Sequence, residues 1–197
     1  MIKLFGITGG IGSGKSTLVK SLLKKGYLVH DSDKIVSNMY KKPRKTFIKF
    51  LEQNISKNIL KNKKINKKLI TNTIFNNLEI KKKLEKHIHK EVQISRKKFI
   101  KKNKRNKKGV LFAEVPLLFE NTLEKEFDLV ICVISSKKNR SERTQKNKKF
   151  TKEIFNKIIK MQVSDKERRE RSNIIIHNNN SKSKFLAAAD KALLGVL

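Results

Sequence analysis

The sequence contains no tryptophan, one cysteine, two prolines and two tyrosines, and acidic residues are scarce against basic ones, 17 to 49. Each scarcity excludes something. A lone cysteine forms no internal disulfide, and Cys132 sits inside the apolar run Leu129 to Ile134, where it reads as a small buried core residue. No segment reaches the roughly 18 uninterrupted apolar residues of a membrane span. With an apolar run opening at Ile2, no signal peptide is expected. The expected location is therefore the cytoplasm, with no membrane partner. No glycine occurs between Gly26 and Gly109, so that stretch is expected to be helical. At 37% hydrophobic residues, the 197-residue chain can build one lean core, with room for an inserted sub-bundle.

The shortage of acids leaves a formal charge of +32, which taken alone points to nucleic acid. A nucleic-acid surface concentrates its cations on one element and interleaves them with aromatics. Here the lysines run from Lys3 to Lys191. Lys, Asn and Ile share A/T-rich codons, so compositional drift accounts for the excess. No specific nucleic-acid partner is expected, and like-charge repulsion favours a monomer.

What is present begins at the N-terminus. Gly9-Gly10-Ile11-Gly12-Ser13-Gly14-Lys15-Ser16-Thr17 fits the phosphate-loop pattern G-x-x-x-x-G-K-[ST]. An apolar strand, Ile2 to Thr8, precedes it. A helix from Ser16 to Lys24, with Leu18, Leu22 and Leu23 on one face, follows it. Glycines allow the backbone to turn successive N–H groups inward, and the helix N-terminus adds a positive dipole end. Lys15 reaches the β- and γ-phosphates of a nucleoside triphosphate, and the Ser16 hydroxyl is suited to Mg²⁺.

Tyr27 to His30 reads as a second strand, ending at Asp31-Ser32-Asp33. Ligands of open parallel sheets bind beyond the carboxyl ends of strands. Asp33 is thus a candidate base for an attacking hydroxyl, and Asp31 a candidate holder of a Mg²⁺-bound water. The alternative is a helix cap for the segment from Lys34. Residues 41–108 change character, with 25 Lys and Arg against 4 Glu. Apolar residues recur there at helical intervals, and three or four helices are expected between the second and third strands. Gly109 to Ala113 is a third strand, ending at Glu114. Val115-Pro116-Leu117-Leu118-Phe119-Glu120 is either core or the wall of a ligand pocket. Leu129 to Ile134 is the fourth strand. Arg140 and Arg143 begin a basic helix, and Phe150 to Gln162 form another. A charged turn then carries Arg168, Arg169 and Arg171. Asn173 to Ile176 is the fifth strand, and Ser181 to Leu194 closes the chain as a helix. Alternating strands and helices imply a parallel sheet covered on both faces.

The chain has no Asp-x-x-Gly switch, and Asn147-Lys148-Lys149-Phe150 lacks the final Asp of a guanine-reading motif, so a GTPase is not the expected class. A motor ATPase is matched only in part, by Glu114. A small kinase needs a phosphate loop, an acid after the second strand, an inserted acceptor-binding helical piece and late arginines, and all occur in that order. Another small kinase, for a nucleoside or nucleotide, and a nucleic-acid binder are the competing readings.

Four blocks carry a closer resemblance: Thr8 to Thr17, Asp31-Ser32-Asp33, Val115 to Glu120, and Asn178 after a terminal apolar strand. With these, the chain resembles the dephospho-coenzyme A kinase family almost end to end. The resemblance implies ATP-dependent phosphorylation of the ribose 3′-hydroxyl of dephospho-coenzyme A. It implies an α/β, three-layer fold of the P-loop nucleoside-triphosphate hydrolase type, with a five-stranded parallel sheet covered by helices. It divides the single kinase domain into a core of about 1–40 and 109–197, a helical substrate insertion of about 41–108 and a lid of about 137–160. It makes Lys15, Asp33 and Arg143 catalytic, with Arg143 steadying the transferring phosphoryl. It assigns Gly10, Ile11, Gly12, Ser13, Gly14, Lys15, Ser16, Thr17 and Asn178 to the nucleotide, with Gln162 and Arg168 near them. Ser16 takes Mg²⁺. Asp31, His89, Pro116, Leu117 and Leu118 face the acceptor.

The chain departs from the family pattern at several of these places. Lys90 replaces the proline after His89, Asn147 replaces a second lid arginine, and Lys67 and Thr71 stand where the helical domain has arginines. His177 replaces an acid before Asn178. Lys146 and Lys148 supply charge beside Asn147, without an arginine's bidentate fork. The four histidines show no metal-ligand spacing, so no structural metal is expected.

Overall fold

The computed structural model describes residues 2–147 and 150–197. In chain order the elements are β1 Lys3–Thr8, α1 Lys15–Lys24, β2 Leu28–Asp31, α2 Ser32–Lys41, α3 Lys45–Asn54, β3 Leu60–Lys61, β4 Lys64–Ile65, α4 Lys67–Asn76 and α5 Leu78–Lys102. They continue with β5 Val110–Glu114, β6 Leu129–Ile134, α6 Lys137–Gln145, α7 Lys152–Met161, α8 Asp165–Glu170, β7 Ile174–His177 and α9 Lys182–Leu193.

Strands buried on both faces read as unbroken apolar runs. That is the character of β5, buried at every position, and of β6, buried at all but its first. The five strands order as β2-β5-β1-β6-β7, all parallel. The central strand is β1: the chain leaves it towards β2 on one side and later returns to fill β6 and β7 on the other. An open sheet offers its ligand crevice beyond the carboxyl end of such a strand. In this chain that place is occupied by Gly9 to Gly14.

The chain divides into two compact units, residues 1–31 with 100–197, and residues 32–99. The composition alone set the insertion at about 41–108. In the first unit Phe5 and Ile7 of β1 join Phe112, Ile131 and Val133 under Leu18 and Leu22 of α1 and Phe185, Ala189 and Leu193 of α9. Phe5 and Phe112 meet edge to face at 5.8 Å. The alternate residues of β1 point to the opposite face, where Gly6 leaves room for Leu118 and Phe127. Burying a leucine-sized side chain contributes roughly 1.5–3 kcal/mol, so these two faces dominate the first unit's stability.

The second unit packs Phe47, Leu51, Ile59, Ile65, Ile70 and Leu84 into its own core. The Tyr40 ring meets Phe47 edge to face at 5.5 Å, and the His87 ring stacks on Phe50 at 4.2 Å. Asn66 caps α4 by accepting from the Leu69 N–H.

Two features differ from the reading of the sequence. The helical insertion also holds a short antiparallel hairpin, β3 with β4, whose turn residues Asn62 and Lys63 both take positive φ. Such a turn is ordinarily signalled by Asn-Gly, and lysine in the second place hid it. The expected charged turn around Arg168 is instead the helix α8. Ser164 caps it by accepting from the Glu167 N–H. Arg168 pairs with Asp165 and Arg171 with Glu167 at helical spacing, which converts a run of charge into a helix.

Candidate active site

The phosphate loop leaves β1 at Thr8 and enters α1 at Lys15. At its last turn Gly14 holds φ 109°, a region that only glycine visits readily, and a Cβ there would collide with Asn178 Nδ2. That amide donates to the Ser13 carbonyl at 2.8 Å. The Asn178 carbonyl in turn accepts from Ser135 Oγ at 2.7 Å and from Arg143 Nη2 at 2.9 Å. Asn178 is 6% exposed, so these contacts are made out of water. The residue just beyond β7 is thereby locked beneath the loop that follows β1.

Lys15 Nζ donates to the carbonyls of Gly9 at 2.8 Å and Gly10 at 3.1 Å. An ammonium held by two neutral carbonyls has a stronger partner available in a phosphate. The Ser13 side chain is buried, and its hydroxyl finds no hydrogen-bond partner among the described residues. A buried polar atom without a partner is costly, and an anion seated in the loop would relieve it. The Ile11 N–H donates to Gln162 Oε1 at 3.1 Å, which places Gln162 against the loop. Ser16 and Thr17 lie in the first turn of α1, and the Ser16 side chain is exposed.

Asp31 ends β2 in register with Glu114 of β5, and Glu114 is in turn level with Ile7 of β1. Two carboxylate residues thus share one register at the carboxyl edge of the sheet. Asp33 lies in the first turn of α2 and is exposed. His89 is exposed on α5.

The Val115 to Glu120 block is mostly core, with Leu117 left at the surface. Val115, Leu118 and Phe119 are core, with Leu118 fully buried, while Leu117 is 44% exposed and Pro116 half-buried. Glu120 Oε1 accepts from the Val163 N–H at 3.1 Å and pairs with Arg168 at 3.3 Å. Arg168 is 2% exposed and also donates to Asp165 at 2.9 Å, so its place is inside this ion network.

Arg143, on α6, donates to Ser135 Oγ at 3.1 Å and to Asn178. One helical turn earlier, Arg140 reaches the loop itself, donating from Nε to the Ile11 carbonyl at 2.9 Å. Burial pulls its guanidinium below the usual arginine range, against the opposing pull of Asp165. Nothing in the sequence marks Arg140 beyond its place at the start of a basic helix, because its partners lie far away along the chain. Asn147 follows α6, and Lys148 lies outside the described residues. Cys132 is buried on β6 as expected, and burial pushes its thiol up to about 11.

In the second unit a cavity of about 390 Å³ is lined by Met39, Phe47, Lys42, Arg44, Glu91 and Lys98, among others. Arg44 and Glu91 form an ion pair across it at 3.5 Å. Among the described residues, no three His, Cys, Asp or Glu side chains come together as a metal cage, and no helix is long and apolar enough to cross a membrane.

A parallel sheet in this order, with a lysine-bearing phosphate loop at the end of its central strand and a helical unit inserted after the second, defines a P-loop kinase. A solved shikimate kinase from Acinetobacter baumannii shares this fold at a TM-score of 0.52, with 13% identity over 100% of this chain and 96% of that one. The chain belongs to the dephospho-CoA kinase family, whose model matches residues 3–184. A dephospho-CoA kinase from Fusobacterium nucleatum is 37% identical over 185 residues, 91% of each chain. One from Bartonella quintana is 31% identical over 89% of each. The solved dephospho-CoA kinase from Campylobacter jejuni superposes with a TM-score of 0.71 at 26% identity, covering 100% of this chain and 98% of that one. The family catalyses the final step of coenzyme A biosynthesis, so the chain is a kinase whose substrates are ATP and dephospho-coenzyme A.

Proposed function

We propose that the chain performs this reaction by in-line transfer of the γ-phosphoryl of ATP to the ribose 3′-hydroxyl, mainly through positioning and charge neutralisation. The observation that carries the reading is the loop from Gly9 to Gly14, with Lys15 Nζ poised on its carbonyls and Asn178 and Gln162 bonded to its backbone. Residues 10–17 bind the phosphates, and Lys15 exchanges its carbonyl partners for phosphate oxygens. Asp33 accepts the proton of the 3′-hydroxyl. Arg143 turns from Ser135 and Asn178 towards the transferring group.

Mg²⁺ fits the residues present. Ser16 offers one exposed hydroxyl, Asp31 and Glu114 offer carboxylates for its waters, and a Mg²⁺ that keeps several waters needs no protein cage. When bound, it neutralises charge on the β- and γ-phosphates. The helical unit takes the acceptor: Lys42, Arg44 and Lys98 around its cavity suit the acceptor's phosphates, while Met39 and Phe47 suit an apolar part. Asp31, His89, Pro116 and Leu117 are assigned to the acceptor side; Leu118, expected there too, is fully buried in the core against Gly6 and has no face to offer an acceptor. The segment 137–160 acts as the lid. The protein works as a cytoplasmic monomer.

The test is ADP release with ATP and Mg²⁺, coupled to a reporter enzyme, with dephospho-coenzyme A, adenosine or nucleoside monophosphates as acceptor. Release that depends on dephospho-coenzyme A and yields coenzyme A is expected. Release driven equally by another acceptor would overturn the substrate assignment.

A further inference from the structure

Arg140 is buried to 4% exposure, yet only part of its guanidinium is used by neighbouring acceptors. Nε donates to the Ile11 carbonyl at 2.9 Å, and Nη1 reaches both oxygens of Asp165 at 3.2 Å. Nη2 is buried with no hydrogen-bond partner among the described residues. It lies so close to Gly10 that a Cβ there would overlap it. Thr144, one turn on along α6, donates from Oγ1 to the Arg140 carbonyl at 2.7 Å, and the two groups together press on Gly12. The inner face of α6 is therefore seated on Gly10 and Gly12, where no side chain intervenes.

The other backbone group of Ile11 is also held, its N–H donating to Gln162 Oε1 at 3.1 Å. The crown of the loop is thus gripped from both sides, by Arg140 from α6 and by Gln162 from the end of α7. Asp165 continues the grip, because it also pairs with Arg168, which reaches Glu120. Keeping a guanidinium out of water for packing alone is unfavourable, and an apolar side chain would fill the space better. A phosphate cradle, in contrast, needs its N–H groups fixed before the anion arrives, since any ordering on binding subtracts from affinity.

We propose that Arg140 is a positioning residue for ATP, holding the Gly10 to Gly12 backbone in its phosphate-binding shape through the Ile11 carbonyl. This rests on the kinase reading of the loop. Arg140 touches neither substrate; it acts through the loop and leaves acceptor binding alone.

The experiment compares the unaltered chain with Arg140→Gln, Arg140→Lys and Lys15→Ala, measuring ATP affinity by calorimetry, the KM for dephospho-coenzyme A, and the nucleotide-free melting temperature. Arg140→Gln should weaken ATP binding about tenfold, the worth of one charge-assisted hydrogen bond, and leave the acceptor KM within about twofold. Arg140→Lys should rescue little, because an ammonium cannot hold the Ile11 carbonyl and both Asp165 oxygens together. A merely structural role would lower the melting temperature and leave ATP affinity unchanged in the folded variant, and that result overturns the proposal. If Arg140→Gln does not fold, Asp165→Asn supplies the same test: weaker ATP binding supports the grip and unchanged binding refutes it. Failure of the unaltered chain to bind ATP, with Lys15→Ala indistinguishable from it, would instead sink the kinase reading and this inference with it.

Discussion

Asn178 and Gly14 are the pair whose coupling the geometry defines most sharply. Asn178→Ala removes a buried donor and leaves the Ser13 carbonyl without the partner it has at 2.8 Å. An orphaned buried acceptor costs about 1–3 kcal/mol. Gly14→Ala costs about 1–3 kcal/mol for an alanine forced to φ 109°. To this is added the collision of its Cβ with Asn178 Nδ2. In the double variant the collision disappears while the backbone strain remains. The double should therefore be less destabilised than the two singles together, by about 1 kcal/mol or more, in urea unfolding of the nucleotide-free protein. Asn178→Asp serves as a control: its carboxylate would face the Ser13 carbonyl, and it should be worse than alanine. Additivity within about 0.3–0.5 kcal/mol, the range for sites that do not touch, would refute the reasoning.

Other expectations concern charge. The Cys132 thiol is pushed up to about 11 from an ordinary 9 by burial, with Ser172 and Arg168 opposing. Below pH 9 the thiol is protonated folded and unfolded, so its contribution is fully present. As pH rises from 9 through 11 only the unfolded chain ionises, and about 2–3 kcal/mol is lost. Cys132→Val should therefore show a shallower fall in melting temperature across that window than the unaltered chain, and equal slopes would contradict the assignment. Lys25 and Asp190 form an ion pair between side chains 44% and 50% exposed. Asp190→Asn should change stability by less than about 1 kcal/mol in denaturant titration.

The sheet was legible in the sequence because its strands are apolar on both faces, and the sites of β5 and β6 can be read directly from Val110 to Ala113 and Leu129 to Ile134. The loop was legible because the residues that form it, from Gly9 to Ser16, are contiguous, although the groups that brace it from outside are not. The hairpin at Asn62-Lys63 was not legible, since nothing but backbone angle marks it. Helix α8 was hidden because charge reads as solvent until its partners are known, and Glu120 is a partner from another loop. Arg140 was hidden for the same reason more acutely. Its contact with Ile11 spans 129 positions, and no spacing rule reaches that far. The pairing of Asp31 with Glu114 likewise depends on strand order, which local pattern does not supply.

The measurement that bears most directly on the account is the turnover of Asp33→Asn. The isostere keeps shape and removes the proton acceptor, so kcat should fall by about 10²–10⁴ while ATP affinity stays within about twofold. Near-normal turnover in that variant would remove Asp33 from the chemistry and require the 3′-hydroxyl proton to leave by another route.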